Sequence, residues 1–213
     1  WLTWKPLLRR AVFIIKAWLF AKLPSNSISI AELLPNTSNL RHCNHSRRCA
    51  DISNEGTFNL FNANIARLQN LGKHGTQLYA SLQGQYSPDN LEADGFSAGG
   101  PYTVSGYKSS VLGGSSGYYV ITELRQNLLN SNKNQLLGKV YVDTAQAQFV
   151  ANKWKGFSGS NKARINSVGL GLDWQNSRLW QAQARIGFPF GHQSSTVDDR
   201  NDVQAWLNVS KLF

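Results

Sequence analysis

Val203-Gln204-Ala205-Trp206-Leu207-Asn208-Val209-Ser210-Lys211-Leu212-Phe213 closes the chain and governs how everything before it is read. Val203, Ala205, Leu207, Val209 and Phe213 share one parity, and Gln204, Trp206, Asn208 and Ser210 share the other. Successive side chains of a strand point to opposite faces, so this segment has one apolar and one polar face. A strand standing between lipid and a wet lumen carries that pattern. Lys211 breaks the apolar parity near the end, where its stem can lie along lipid and lift the charge to the interface. An amphipathic edge strand of a soluble sandwich alternates in the same way, so the rest of the chain must decide.

Upstream, the same text repeats. Strand patterns run over Phe58–Gln69, Thr76–Tyr86, Gly117–Asn127, Gly138–Ala147, Arg164–Trp174, Leu179–Phe188 and Val203–Phe213. Most approach the 9–11 residues that a tilted membrane strand needs. Opposite each apolar parity lie Gln, Ser, Gly, Asp, Glu or Arg, as where Val168, Leu170, Leu172 and Trp174 face away from Ser167, Gly169, Gly171 and Asp173. Connections alternate short and long: Asn70–Gly75, Leu128–Leu137 and Gln175–Arg178 are short, whereas Ser87–Ser116, Gln148–Ala163 and Pro189–Asp202 are long. Tight periplasmic turns and long extracellular loops sort in this way in outer-membrane barrels, which also commonly end on Phe. Phe213 is thus the expected carboxy-terminal assembly signal, and Trp174, Trp180 and Phe188 are expected at the membrane interfaces.

Composition agrees. Mean hydropathy is −0.34, and only 16% of the 213 residues are charged. No stretch supplies the roughly 20 apolar residues of a helical span. The formal charge of +10 is concentrated at the start, where residues 1–50 hold eight Lys/Arg against Glu32 alone. This lopsided charge lacks the interleaving of basic and aromatic residues expected of a nucleic-acid surface, so no nucleic-acid partner is expected. Residues 1–54 lack sustained alternation and read as a separate, non-barrel segment of short helix and coil, a linker or an out-of-frame stretch. Residues 55–213 read as barrel. With no Met, the chain is expected to be a fragment. Cys43 and Cys49, beside His42 and His45, match no standard zinc spacing, and no metal or cofactor is expected. His74 and His192 have no paired nucleophile motif, and Asp198, Asp199 and Asp202 read as a solvated loop, so no enzyme is expected.

The most specific stretch is the loop Gly95–Ser116. It carries Gly99-Gly100-Pro101-Tyr102-Thr103-Val104-Ser105-Gly106-Tyr107, followed by Ser116-Gly117-Tyr118 and Glu123-Leu124-Arg125. A phosphate-binding loop is excluded by the missing Gly-Lys-Ser/Thr and by the strand–loop–strand context. The glycines favour a compact fold of this loop over an extended one. These motifs resemble the two-partner secretion transporters, the ShlB/FhaC/HecB (TpsB) family of haemolysin secretion/activation proteins. That family carries Gly-Gly-Pro-Tyr-x-Val-Arg-Gly-Tyr/Phe in a long loop that folds into the barrel. The resemblance covers roughly Gly56 to Phe213.

The resemblance implies an all-β fold: the carboxy-terminal strands, about seven, of an antiparallel transmembrane barrel that has sixteen in full and is preceded by POTRA domains. It implies the bacterial outer membrane as location. It implies a pore that secretes and activates a large exoprotein of haemolysin or adhesin type. The partners would be that exoprotein, outer-membrane lipid and the barrel-assembly machinery. Gly99, Gly100, Pro101, Tyr102, Val104, Ser105, Gly106 and Tyr107 would form the gating loop, with Asp143, Glu123 and Arg125 as wall contacts. The family's loop Arg is Ser105 here, and the last Gly of its wall motif is Ala145. Asp143 is therefore expected either to take another partner, such as Lys108 or Arg125, or to leave the loop unlocked. A porin, a barrel-assembly factor and a soluble all-β binding module remain as alternatives.

Overall fold

The protein is described from a computed structural model, covering residues 27–40, 56–72, 75–91, 95–191, 197 and 203–212. Ten strands follow in order: β1 (Ser27–Leu40), β2 (Gly56–Asn70), β3 (Thr76–Tyr86), β4 (Phe96–Ala98), β5 (Leu112–Gly114), β6 (Ser116–Asn130), β7 (Asn134–Gln148), β8 (Lys162–Asn176), β9 (Trp180–Pro189) and β10 (Gln204–Lys211). Eight of them form one antiparallel sheet in the order β1-β2-β3-β6-β7-β8-β9-β10, and β4 and β5 form a separate small ribbon. Among the described residues the large sheet does not close, and β1 and β10 are its edges. No helix among them is long and apolar enough to cross a membrane.

All seven expected strands are present. The structure corrects the reading of residues 27–40, which form β1, paired along its whole length with β2 from Ser27↔Gln69 to Leu40↔Gly56. Its alternation breaks at Leu33-Leu34-Pro35, which hides the strand from a period-two reading. The remainder of residues 1–54, with Cys43 and Cys49, lies outside the described residues, as do His74, His192, Asp198, Asp199, Asp202 and Phe213.

Register places one parity of every strand in common rows. Leu78, Leu124, Val140, Leu170, Ile186 and Ala205 stand side by side across six strands. Most of this face is exposed: Leu170 retains 57% of its accessible surface and Leu207 76%. Large aliphatic side chains this open, row after row, are what a lipid-facing band requires and what a monomeric soluble protein avoids. Trp180 and Phe188 bound the band at opposite ends of β9, both on the outer parity and exposed. Lys211 holds its ammonium 5.5 Å from the Trp180 ring centroid, the basic anchor expected at the turn-bearing end.

Polarity inverts along β7 and β8 without any shift in their register. In the lower part of β7, Val140 and Val142 face out, and Lys139, Tyr141 and Asp143 face in. Above Asp143, Ala145 and Ala147 face in and are buried, while Thr144, Gln146 and Gln148 face out. β8 does the same, with Ala163 and Ile165 buried inward and Arg164 and Asn166 outward. The strands continue past the lipid into water, and their inner face there meets a packed loop rather than a wet lumen.

Candidate functional site

The loop between β3 and β6 folds back onto the inner face of the wall. Its ribbon β4–β5 is short, with register Phe96↔Gly114 to Ala98↔Leu112. Gly99 and Gly100 turn the chain at φ values of 115° and 101°, which only glycine adopts without strain. The Gly100 amide hydrogen bonds to the carbonyls of Val104 (3.2 Å) and Tyr107 (3.0 Å), so residues 100–107 form a closed knot. Val104 and Tyr107 are fully buried, in a dry cluster with Phe96, Ala98, Leu112, Ala145, Ala147, Ala163, Ile165 and Val197. Burying apolar surface stabilises the docked loop by about 25 cal/mol per Å².

The tip of the knot is held by the wall. Asp143, on β7, accepts from the Ser105 amide at 3.1 Å and from the Ser105 hydroxyl at 2.9 Å. Its other carboxylate oxygen accepts from the Ser167 hydroxyl on β8. Ser167 in turn accepts from the Gly106 amide at 3.0 Å. Ser105, Asp143 and Ser167 are all essentially buried. Gly187 leaves the hollow into which the tip fits: a Cβ there would stand 2.5 Å from the Gly106 nitrogen and 2.6 Å from the Ser105 carbonyl carbon.

A second layer of charge surrounds the tip. Glu123 on β6, also buried, accepts from Arg125 Nε at 2.8 Å and from Arg185 Nη2 at 3.2 Å. Lys139 Nζ lies 3.8 Å from Glu123 and pairs with Asp173. Arg125 is also stacked over the Tyr79 ring at 4.1 Å. Arg185, from β9, reaches from this network to the loop itself and donates to the Pro101 carbonyl at 2.9 Å. Last, β10 contributes two donors: Trp206 Nε1 to the Ser105 carbonyl (2.8 Å) and Asn208 Nδ2 to the Tyr102 hydroxyl (3.2 Å).

Of the two expected courses, Asp143 takes the first, finding another partner in Ser167 rather than in Arg125. Arg125 goes to Glu123 rather than to Asp143, and Asp143 is satisfied by two hydroxyls and an amide. The loop is docked although its tip carries Ser instead of Arg. Glu123 stands one step from the loop, through Arg185, and Arg125 two steps, through Glu123. Sequence reasoning missed Arg185, Ser167 and Trp206 as loop contacts. Their signal was their position on the inner parity, where Arg185 is the sole cation beside Gln181, Gln183, Gly187 and Pro189.

An antiparallel wall with lipid outside and an in-turned loop inside is part of an outer-membrane β-barrel. The family model for haemolysin secretion/activation protein ShlB/FhaC/HecB matches residues 34–149, more than half of the chain. The chain belongs to that family, whose members are two-partner secretion transporters of the outer membrane. Among solved structures, CdiB from Escherichia coli shares the fold with a TM-score of 0.70 at 15% identity, over 88% of this chain and 34% of that chain. The chain thus spans about a third of the length of CdiB. A comparison with curated proteins gives no match.

Proposed function

We propose that residues 27–212 form the carboxy-terminal wall, and the plugging loop, of an outer-membrane pore that passes a large partner exoprotein of haemolysin or adhesin type. The observation that carries this is the loop 95–115, folded onto the inner face and held at Ser105 by Asp143. A polar inner wall of Glu123, Lys139, Asp143 and Arg185 suits an unfolded polypeptide, which needs partners for its backbone but no apolar sink. The loop must leave, or shift within, this position for a chain to pass, so Gly99, Gly100, Pro101, Tyr102, Val104, Ser105, Gly106 and Tyr107 act as the gate and Asp143 as its catch. Glu123 and Arg125 brace Arg185. Further strands at the β1 and β10 edges complete the wall, because unpaired edges in lipid leave backbone groups unsatisfied. Insertion then depends on the barrel-assembly machinery, with the final strand and Phe213 as its signal.

The test is made in the full-length transporter with its exoprotein. Asp143→Ala is expected to raise single-channel conductance in planar bilayers and to change the amount of exoprotein in the medium, with the barrel still heat-modifiable on gels. Native conductance and native secretion from a correctly folded Asp143→Ala barrel would remove the gate reading. Loss of other outer-membrane proteins, with secretion intact, would favour a barrel-assembly role instead.

A further inference from the structure

The polarity inversion of β7 and β8 leaves an outward surface that the pore does not use. Its lower row is Thr144 and Asn166, partners in the register directly above Val142 and Val168. The next row is Tyr118, Gln146 and Arg164, and the one above it is Ser116, Gln148 and Lys162. Gln85, Tyr118, Gln146, Gln148 and Lys162 line a polar cleft on this surface. Among the described residues no acidic side chain pairs with Lys162 or Arg164. Arg164 and Lys162 thus stand two and three rows above Val168, about 10 and 15 Å higher, on the side that bears the long loops.

Arg164 is aimed. Its Nε donates to Thr144 Oγ1 at 3.2 Å and to Asn166 Oδ1 at 3.1 Å. Both acceptors lie one row nearer the membrane, so the side chain bends down towards the band instead of up into solvent. One row is two residues, about 7 Å along a strand and about 5 Å in height at a tilt near 45°. That height, at which Thr144 and Asn166 stand above Val142 and Val168, is the headgroup zone, which extends roughly 5–7 Å beyond the hydrocarbon. With Nε engaged, the two terminal nitrogens are left as a preset fork, the geometry that suits a phosphate oxygen pair.

We propose that Arg164 and Lys162, with the Gln146–Gln148 edge of the cleft, bind the phosphate of an outer-leaflet glycolipid whose acyl chains lie on Val142 and Val168. The charge is complementary, and the apolar band supplies the seat for the chains directly below. The site lies on the outer face, so it does not depend on the secretion reading.

The experiment uses the purified full-length protein in detergent and native mass spectrometry. The probes are lipid A with both phosphates, lipid A with neither, and inorganic phosphate. Bisphosphorylated lipid A is expected to bind at least tenfold more tightly than the dephosphorylated form, and Arg164→Gln with Lys162→Gln is expected to erase that preference. Equal binding of the two lipids to the native protein overturns the proposal, and that comparison needs no variant to fold. Retention of the preference by the double variant overturns it too. Displacement by inorganic phosphate at equal concentration would identify a site for a free anion, which also overturns it. Lys162→Gln alone, at an exposed strand end, provides a milder variant that is expected to weaken binding severalfold.

Discussion

Removing the Ser105 hydroxyl tests the docking of the loop most directly. Ser105→Ala deletes one bond, 2.9 Å long, to a buried carboxylate and leaves the Ser105 amide and Ser167 in place on Asp143. Hydrogen bonds to charged groups contribute about 1.5–3 kcal/mol. At about 1.4 kcal/mol per tenfold, the ratio of docked to undocked loop should fall by about 10- to 150-fold. Hydrogen exchange reads this ratio, because the Ser105 and Gly106 amides are bonded to the wall and exchange only when the loop leaves it. A peptide spanning residues 99–107 should therefore lose protection by that factor in the full-length transporter, while peptides from β7 and β8 keep theirs. Unchanged protection would mean that the Ser105 hydroxyl does not hold the tip, the other bonds and the apolar cluster sufficing. Equal loosening of β7 and β8 would mean that the loop and the wall open as one unit. Either result would refute the idea of a tip that releases on its own.

Two further substitutions probe the same contact from the wall side. Gly187→Ala puts a methyl where the loop backbone sits, 2.5 Å from the Gly106 nitrogen. It should exclude the tip and raise conductance while the barrel remains heat-modifiable. Arg185→Leu removes the 2.9 Å bond to the Pro101 carbonyl, while Glu123 keeps Arg125 and Lys139. It should lower loop protection about as much as Ser105→Ala, and the double variant should depart from the product of the two effects, since both sites act on Tyr141 and Asp143.

The wall was legible because seven of its strands repeat an alternation that lipid on one side and polar groups on the other enforce. β1 escaped because Leu33-Leu34-Pro35 interrupts its parity. The ribbon β4–β5 escaped because three-residue strands ending in Gly113-Gly114 carry no period to read. The loop was legible as compact from its glycines, and Asp143 as its wall contact from a motif. The docking chemistry was not legible. Arg185 and Pro101 lie 84 residues apart, and Trp206 and Ser105 lie 101 apart, so only the tertiary fold brings them together. The polarity inversion was written in the sequence, as Ala145, Ala147, Ala163 and Ile165 on the inner parity and Gln146, Gln148, Lys162 and Arg164 on the outer. Reading it required knowing where the membrane ends.

The bonds from Trp206 and Asn208 to the loop tie the stopper to one seam of the wall. The tip is fully seated only when β10 lies paired beside β9. Any parting of the β9–β10 seam therefore also loosens the plug, and sideways opening of the wall and unsealing of the channel become linked events.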